Sequence, residues 1–374
     1  MTTPVPRIAI VGGIFDRSAE YQAQRRFTPE SVLVDGLRSN GWDAFAVGHG
    51  DFDPGDRWDL VHVHHIGRAA LRMAFAGGRA PFVYTSHDPY LASDYEVNGR
   101  RRTMTGLVAA RADVMIPLSE AERARDERRF GSRLPKQVVI PNGFPSATYH
   151  YAPPPDASDT PRRPTVLFVG QLIPFKGVDV LLHAFADVDP EADLLLAYQN
   201  AALEADYRAR AERLGIADRV RFLGIQSSAQ LADHYRAADV LVSASYAEAL
   251  PSVVIEALMC GCPVIATDVG GVPDILAGQH LTVPAGDATA LAAALRTRLA
   301  NPVSGADRAA TSADAIARYT PEAMVAAHET VYRDLLAAGR VPRRSRRPTR
   351  VLHPAVSFLL DRAGPLLAGR GLTS

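Results

Sequence analysis

The sequence predicts an α/β protein of two similar domains, each built on a parallel sheet that helices cover. Three observations support this. A length of 374 residues favours two domains over one. Short apolar runs alternate with longer helical patterns, as in parallel sheets with helices on both faces. A proline-rich segment at 151–164 interrupts this alternation once and is interpreted as a linker, after which the alternation resumes.

In the first half, the apolar runs predict strands at 7–11, 44–47, 60–64, 82–85, 114–118 and 138–140. One helix between them is well marked at both ends. Thr28 is a good N-cap, Pro29 suits the first helical position, and Gly41 follows the last apolar residue. These elements predict a first domain over 1–155.

In the second half, strands are predicted at 165–169, 194–197, 220–222, 240–243 and 264–266, and helices at about 177–187, 202–214, 228–237 and 252–261. They predict a second domain over 156–320. A last helix at 321–338 is expected to return to the first domain. The remaining 339–374 form an arginine-rich and then apolar tail.

Composition narrows the function classes. Formal net charge is zero, so no global basic field argues for nucleic acid. Cys260 and Cys262 are one residue apart in an apolar run, which indicates core thiols in a reducing compartment. No apolar run reaches the ~18–20 residues of a membrane span, and the N-terminus leads directly into a strand. We therefore expect a cytoplasmic protein.

The strongest motif lies between 246 and 276, where Glu248 and Glu256 are eight residues apart. Pro251 can open a helix between them, and the free amides of its first turn, such as those of Ser252 and Val253, form an anion site. A nucleotide diphosphate fits that site. The two carboxylates repel phosphate and suit sugar and ribose hydroxyls instead. The alternative is two merely solvated glutamates.

A second motif is the strand, turn and helix around Lys176, one of only two lysines in the chain. Such turns at the carboxyl edge of a parallel sheet bind phosphates. An ordinary surface lysine is the alternative.

A third motif is His87, just past a predicted strand of the first domain, where it can bond a substrate hydroxyl or transfer a proton. A structural histidine is the alternative. A metal site at His62, His64 and His65 is disfavoured, because strand alternation turns His65 away from the other two. A fourth, weaker motif is Gly12-Gly13 after the first strand, where the backbone could approach a ligand; a tight turn explains it equally well.

Together these motifs resemble family 4 of the retaining glycosyltransferases, which has the GT-B architecture of two facing Rossmann-like domains with the active site in the central cleft. The resemblance extends to about residue 336. It rests on Gly12-Gly13, Ser86-His87-Asp88, Ile140 to Gly143, the VGQLIPFKG segment around Lys176, Leu223-Gly224, and Glu248 and Glu256 followed by Gly261, Pro263 and Gly270-Gly271.

The resemblance implies a role for each motif. Lys176 neutralises the departing diphosphate, Glu248 positions hydroxyls of the donor sugar, Glu256 holds the ribose, and His87 lies near the reacting centre. The remaining donor-site residues that it implies are Gly12, Gly13, Gln171, Leu250, Ser252 and Val253. It implies no metal and no cofactor beyond a UDP- or GDP-linked sugar substrate.

Two departures from the family pattern concern the donor site. The family usually has arginine where this chain has Gln171, so one positive charge near the leaving group is absent. A glycine-rich turn usually follows the next strand, and here the turn is Ala197-Tyr198-Gln199-Asn200. The donor base and sugar are therefore open.

The sequence thus predicts a retaining, metal-independent glycosyltransferase that moves a sugar onto an acceptor hydroxyl. The acceptor is a glycan or glycolipid of the cell envelope or an exopolysaccharide, or alternatively a small molecule of antibiotic type. A nucleotide-sugar epimerase and a non-catalytic binding subunit are further alternatives. Six arginines within 340–350 suggest peripheral contact with the inner face of a membrane.

Overall fold

The computed structural model describes residues 4–24, 27–76, 80–87, 99–131, 134–153, 163–188, 191–276 and 281–338. A first sheet of six parallel strands has the order β2-β1-β3-β4-β5-β6. Its strands are β1 (Arg7–Val11), β2 (Asp43–Val47), β3 (Leu60–His64), β4 (Phe82–Thr85), β5 (Val114–Met115) and β6 (Lys136–Gln137). Its helices are α1 (Ala19–Gln24), α2 (Pro29–Ser39), α3 (Arg68–Ala76), α4 (Gly99–Ala109) and α5 (Glu120–Phe130).

The second sheet also has six parallel strands, in the order β12-β11-β10-β7-β8-β9. They are β7 (Thr165–Val169), β8 (Asp193–Ala197), β9 (Val220–Gly224), β10 (Val240–Ser243), β11 (Val264–Thr267) and β12 (Leu281–Val283). The helices are α6 (Val178–Ala186), α7 (Glu204–Arg213), α8 (Ser228–Ala237), α9 (Ser252–Met259), α10 (Val272–Ile275), α11 (Ala288–Ala300), α12 (Gly305–Arg318) and α13 (Pro321–Ala337).

The predicted fold class is confirmed, and most predicted strands are found within two residues of their expected ends. The prediction for 138–140 was wrong, because the edge strand β6 pairs with β5 through Lys136 and Gln137 and the apolar residues after it pack as a loop. Strand β5 ends at Met115, three residues earlier than expected. Strand β12 was missed because its three residues carry too little periodicity. Part of the predicted linker, at 154–162, lies outside the described residues, as does the tail at 339–374.

The two sheets turn their carboxyl edges toward each other. Ser119 follows β5, and Gly271 follows β11; a Cβ atom on Gly271 would lie 3.0 Å from the side chain of Ser119. Nearby, the amide of Ala121 donates to the carboxylate of Asp274 across the same gap, at 2.8 Å. Because ligands of open parallel sheets bind outside the carboxyl ends of the strands, this arrangement places both binding edges on one cleft.

The chain passes between the two domains twice, and the residues at 143–144 lie beside those at 319–320. The amide of Phe144 donates to the carbonyl of Tyr319 at 2.8 Å. A Cβ atom on Gly143 would lie 2.6 Å from the carbonyl oxygen of Thr320, so only glycine fits there without a shift.

Helix α13 follows the second crossing and packs against α2. Glu329 of α13 accepts hydrogen bonds from the side chains of Asn40 and Trp42, at 2.7 and 3.0 Å. Tyr332 of the same helix is completely buried in the core of the first sheet. Among the described residues, no helix is both long and apolar enough to cross a bilayer.

Candidate active site

The loops after β7 and β10 meet at the carboxyl edge of the second sheet because these strands are parallel neighbours. The amide of Tyr246 donates to the carbonyl of Phe175 at 2.7 Å. Lys176 ends a 3-10 turn, Pro174–Lys176, and Gly177 then adopts a left-handed backbone with φ of 65° before α6 begins. A Cβ atom on Gly177 would overlap the carbonyl oxygen of Ala244. Gly177 thus allows the two loops to touch.

Lys176 and Glu248 form a direct ion pair at this contact. The Lys176 Nζ atom lies 2.6 Å from Oε1 of Glu248, and the hydroxyl of Ser245 donates to the same oxygen at 2.7 Å. The Glu248 side chain is 8% exposed and that of Lys176 is 21% exposed. Both bonds fall on Oε1, and no hydrogen bond to Oε2 is found among the described residues. The family resemblance implies separate roles for these two residues, whereas the structure joins them in one ion pair.

The loop after β11 supports Glu248 from the other side. Gly270 has φ of 54°, and a Cβ atom there would overlap the carbonyl oxygen of Glu248. The amide of Gly271 donates to the carbonyl of Ala249 at 3.0 Å. Loops from three adjacent strands therefore hold the carboxylate in place.

Helix α9 begins directly after the loop that follows β10 and carries Glu248, as predicted from Pro251. The amides of Val254 and Ile255 bond to the carbonyl of Pro251, whereas those of Ser252 and Val253 precede the first bonds of the helix. The side chain of Leu250 is buried in the core, so its backbone is the part that a ligand could reach. The predicted anion-binding amides thus lie four to five residues after Glu248, at the positive end of the helix.

Glu256 lies one turn further along α9 and has a partner that the sequence did not indicate. The buried hydroxyl of Tyr235, on α8, donates to Oε2 of Glu256 at 2.9 Å. Burial raises the pKa of the Glu256 carboxyl to about 7, and the bond from Tyr235 lowers it. The Tyr235 bond falls on Oε2, and no hydrogen bond to Oε1 is found among the described residues.

The two sequence departures lie side by side at the ends of β7 and β8. Gln171 comes directly after Gly170, whose amide donates to the carbonyl of Ala197 at 3.0 Å. The amide of Leu172 bonds to the carbonyl of Asn200 at 3.3 Å. The turn at 197–200 is therefore tied by backbone bonds to the loop that carries Gln171 and Lys176.

On the first sheet, His87 follows β4 and contacts a histidine of β3. Its Nε2 atom lies 2.8 Å from Nδ1 of the buried His64, and the two rings stack. Burial lowers the pKa of His87 to about 3 and that of His64 well below its usual value, so both rings are neutral at pH 7.

His65, the residue that follows β3, contacts the ring of His87. Strand β3 ends at His64, and His65 has a left-handed backbone with φ of 65°, so strand alternation no longer applies to it. Its ring centroid is 4.8 Å from that of His87, and its Nε2 is 3.2 Å from the carboxylate of Glu30. Among the described residues other than glycine, His65 and His87 are the two with positive φ. Such strain often collects at functional sites.

The two glycines after β1 serve different purposes. A Cβ atom on Gly12 would lie 2.9 Å from Cγ of the buried Glu30, so Gly12 makes room for this carboxylate. A Cβ atom on Gly13 would meet His49 at 3.9 Å, an ordinary van der Waals contact, so Gly13 is not required there by crowding. Gly13 begins a 3-10 turn that ends at Asp16, whose carboxylate accepts the amides of His49 and Gly50.

Two further sequence expectations concern the cysteines and a possible metal site. Cys260 and Cys262 are both fully buried, and burial raises the pKa of each thiol to about 12. No cluster of three or more metal-ligating side chains occurs in the described ranges.

Several site residues were missed by sequence reasoning. They are Glu30, His64, Tyr235 and Ser245. Each contacts a partner elsewhere in the chain, at separations from 3 residues, for Ser245 and Glu248, to 35 residues, for Glu30 and His65. Only the strand-end position of His64 offered a signal.

The fold and this cleft define a glycosyltransferase of the GT-B class. A family model for glycosyl transferases group 1 matches residues 156–318, and a glycosyl transferase 4-like model matches 21–143. The chain belongs to glycosyltransferase family 4.

Curated relatives carry the name D-inositol 3-phosphate glycosyltransferase. That from Segniliparus rotundus is 30% identical over 74% of this chain and 64% of its own length. That from Mycolicibacterium smegmatis is 33% identical over 66% of this chain and 55% of its own length. The matched region thus spans less than two thirds of these relatives.

Solved structures agree on the fold. The sucrose-phosphate synthase of Thermosynechococcus elongatus superposes with a TM-score of 0.72 at 23% identity, over 89% of this chain and 100% of that one. Anabaena HepE, in complex with UDP and glucose, gives 0.68 at 21% identity, over 88% and 100%.

Proposed function

We propose that this glycosyltransferase takes a sugar from a nucleotide diphosphate and transfers it to an acceptor hydroxyl with retention at the anomeric carbon. The observation that carries the proposal is the Lys176–Glu248 pair, at 2.6 Å, held by three loops next to the first amides of α9. A cation and free amides there suit a diphosphate, and the open oxygen of Glu248 suits a sugar hydroxyl.

The chemistry is electrostatic. As the bond from the sugar to the diphosphate breaks, negative charge develops on the leaving oxygen, and Lys176 with the amides of Ser252 and Val253 stabilises it. The acceptor oxygen attacks from the same face, and the leaving phosphate takes its proton. Lys176 supplies the charge that a metal ion would otherwise provide, so metal independence is part of the proposal. Closure of the cleft would exclude water and limit hydrolysis of the nucleotide sugar.

The donor and acceptor half-sites lie on different sheets. Glu256 is proposed to bind the ribose through Oε1, and Gln171 to donate a neutral hydrogen bond near the diphosphate. His87 and the backbone at Gly13 belong to the sugar and acceptor side. Because relatives carry the name D-inositol 3-phosphate glycosyltransferase, D-inositol 3-phosphate is the first acceptor that we would try.

The test is a thermal-shift screen of UDP- and GDP-linked sugars with the full chain, followed by acceptor trials with the best ligand. We expect a stabilising nucleotide sugar, transfer that EDTA does not abolish, and a product whose anomeric configuration by NMR equals that of the donor. An inverted product would contradict retention. Product formed from the nucleotide sugar without any acceptor would favour an epimerase, and binding without turnover on any acceptor would favour a binding subunit.

An envelope or exopolysaccharide acceptor remains part of the proposal, as does peripheral membrane contact through the tail at 339–374. The six arginines within 340–350 suit an anionic surface. Vesicles with and without anionic lipid, mixed with the full chain and with a chain ending at 338, test this. Equal sedimentation of both chains would contradict it.

A further inference from the structure

His64 is a buried histidine whose ring has one hydrogen bond among the described residues, to the ring of His87. It is 2% exposed, and its Nδ1 lies 2.8 Å from Nε2 of His87. Its other nitrogen, Nε2, is buried and has no hydrogen-bond partner in the described part of the chain. His64 and His87 also line a small, partly open pocket together with Thr85, Asn142 and His328.

The unpartnered nitrogen decides which way the proton lies in the bond between the two rings. Both rings are neutral, so one proton is shared between His64 Nδ1 and His87 Nε2. If His87 donated this proton, His64 would carry its own hydrogen on Nε2, buried without an acceptor. A buried donor without a partner is rarer and less favourable than an unused lone pair. The favoured state therefore has His64 Nδ1–H donating to His87 Nε2.

This state fixes what His87 presents to the cleft. A neutral imidazole that accepts at Nε2 carries its hydrogen on Nδ1. His87 is half-buried, so Nδ1 is the nitrogen left for a ligand. The strained backbone of His87, with φ of 48°, and the ring of His65 at 4.8 Å restrict the ring further.

We propose that His64 is a positioning residue that holds His87 in the Nδ1–H tautomer, so that His87 donates a hydrogen bond to an oxygen of the bound sugar. This inference rests on the proposed function, in which His87 lies against the donor sugar. His64 itself does not touch the ligand. It acts through the bond to His87, as ligand-orienting partners of catalytic histidines do in general.

Three variants separate the hydrogen bond from the packing. His64→Asn places an amide near the position of Nδ1 and can still donate to His87. His64→Gln places the amide near Nε2 and loses that bond while keeping a buried polar group. His64→Leu keeps the volume and has no polar atom. We expect turnover to fall by about tenfold to a hundredfold in His64→Leu and His64→Gln, with a smaller change in donor KM, and to be largely restored in His64→Asn. Equal turnover in all three would overturn the proposal.

A spectroscopic readout does not depend on activity. In the full chain labelled with ¹⁵N-histidine, we expect the His87 signals of a protonated Nδ1 and an unprotonated Nε2, assigned by their loss in His87→Ala. In His64→Leu the protonated signal should move to Nε2. A wild-type protein with hydrogen on Nε2 of His87, or a tautomer unchanged in His64→Leu, would overturn the inference.

The two readouts also separate this inference from the proposed function. If no nucleotide sugar and acceptor give turnover with the wild-type chain, the function fails, and the tautomer shift still decides the role of His64. If transfer is observed and the tautomer does not respond, only the role of His64 fails.

Discussion

The two halves of the cleft use opposite electrostatic designs. On the second sheet, acidic groups are paired: Glu248 with the cation of Lys176, and Glu256, whose pKa burial raises to about 7, with the hydroxyl of Tyr235. On the first sheet, the buried His64 and the half-buried His87 that it contacts are neutral. The nearby charge is the carboxylate of Glu30: burial raises its pKa, but its contact with His65 outweighs this and lowers the pKa to about 2. A charged half suits a diphosphate and its developing charge, and a neutral half suits hydroxyl groups that need directed hydrogen bonds.

The difference also shows in how each half is held. Gly177 and Gly270 have left-handed backbones that let three loops of the second sheet touch around Glu248. The histidine half is instead held by side chains, including the bond of His62 to Tyr332 of α13, at 2.6 Å. Rigid backbone contacts therefore fix the charges, while side-chain packing fixes the neutral rings.

The largest expected effect is the loss of Lys176. Lys176→Ala should lower turnover by about 10²–10³-fold and change donor KM less, because the charge that it meets develops mainly as the diphosphate leaves. The chain's other lysine is a matched control: Lys136 lies 3.8 Å from Asp334, and both side chains are 65% exposed. Lys136→Ala should be nearly neutral. Similar turnover in the two variants would remove Lys176 from the mechanism.

A double variant separates the charge from the fold. Lys176→Ala leaves the carboxylate of Glu248 buried without its cation, which is strongly destabilising. Lys176→Ala/Glu248→Gln should regain stability in chemical denaturation and remain slow in turnover. If stability and turnover return together, the pair is structural.

The charged half of the site could be predicted from the sequence, whereas much of the histidine half could not. Glu248, Pro251 and Glu256 lie within nine residues, so spacing alone placed them on one loop and helix. Lys176 could be placed because parallel strand ends meet at one edge. Glu30 and His65 are far apart in the chain, and their contact depends on helix α2 packing under Gly12. No local pattern encodes such a contact.

The next effect concerns the backbone that holds the charged half. Gly177→Ala should lower the free energy of unfolding by about 3 kcal/mol or more, since the new Cβ atom meets the carbonyl of Ala244 in addition to the strain of a positive φ. Gly215 has a similar φ of 69° and open space around it, so Gly215→Ala should cost only about 1–2 kcal/mol. Equal losses in urea unfolding would show that the loop contact is not tight.

Acidification should change the local stability of the two halves in opposite directions: the first sheet should become less stable, and the helices around Glu256 more stable. Burial lowers the pKa of His87 to about 3 and that of His328 to about 4. Below pH 6.5 these histidines are therefore protonated in the unfolded chain and still neutral in the folded chain. Each histidine then removes up to about 1.4 kcal/mol of stability per pH unit. Glu256, with a folded pKa of about 7, has the opposite sign: its burial penalty is present above pH 7 and disappears as pH falls to 4.5.

Hydrogen exchange measured by peptide between pH 7.5 and 5, and corrected for intrinsic rates, checks this. Peptides of β3 and β4 should lose protection, and peptides of α8 and α9 should gain it. A loss of similar size in all four elements would show that the electrostatic contrast does not govern local stability.

The smallest expected effect concerns the bond that holds Glu256. Tyr235→Phe removes the hydroxyl that donates to Oε2 at 2.9 Å, worth about 1 kcal/mol, so donor KM should rise about fivefold with kcat little changed. Because this bond lowers the pKa of Glu256, its loss should also move the acidic limb of donor binding to higher pH. Tyr149 and Cys260, which also face this carboxylate, are unchanged in the variant.

Tyr149→Phe is the matched control, since the ring of Tyr149 lies 6.3 Å from that of Tyr235 and its hydroxyl bonds to Ser228 instead. A pH profile of donor KM that shifts equally in both variants would mean that Tyr235 packs beside Glu256 without tuning it, and the charged half would then depend on Lys176 and Glu248 alone.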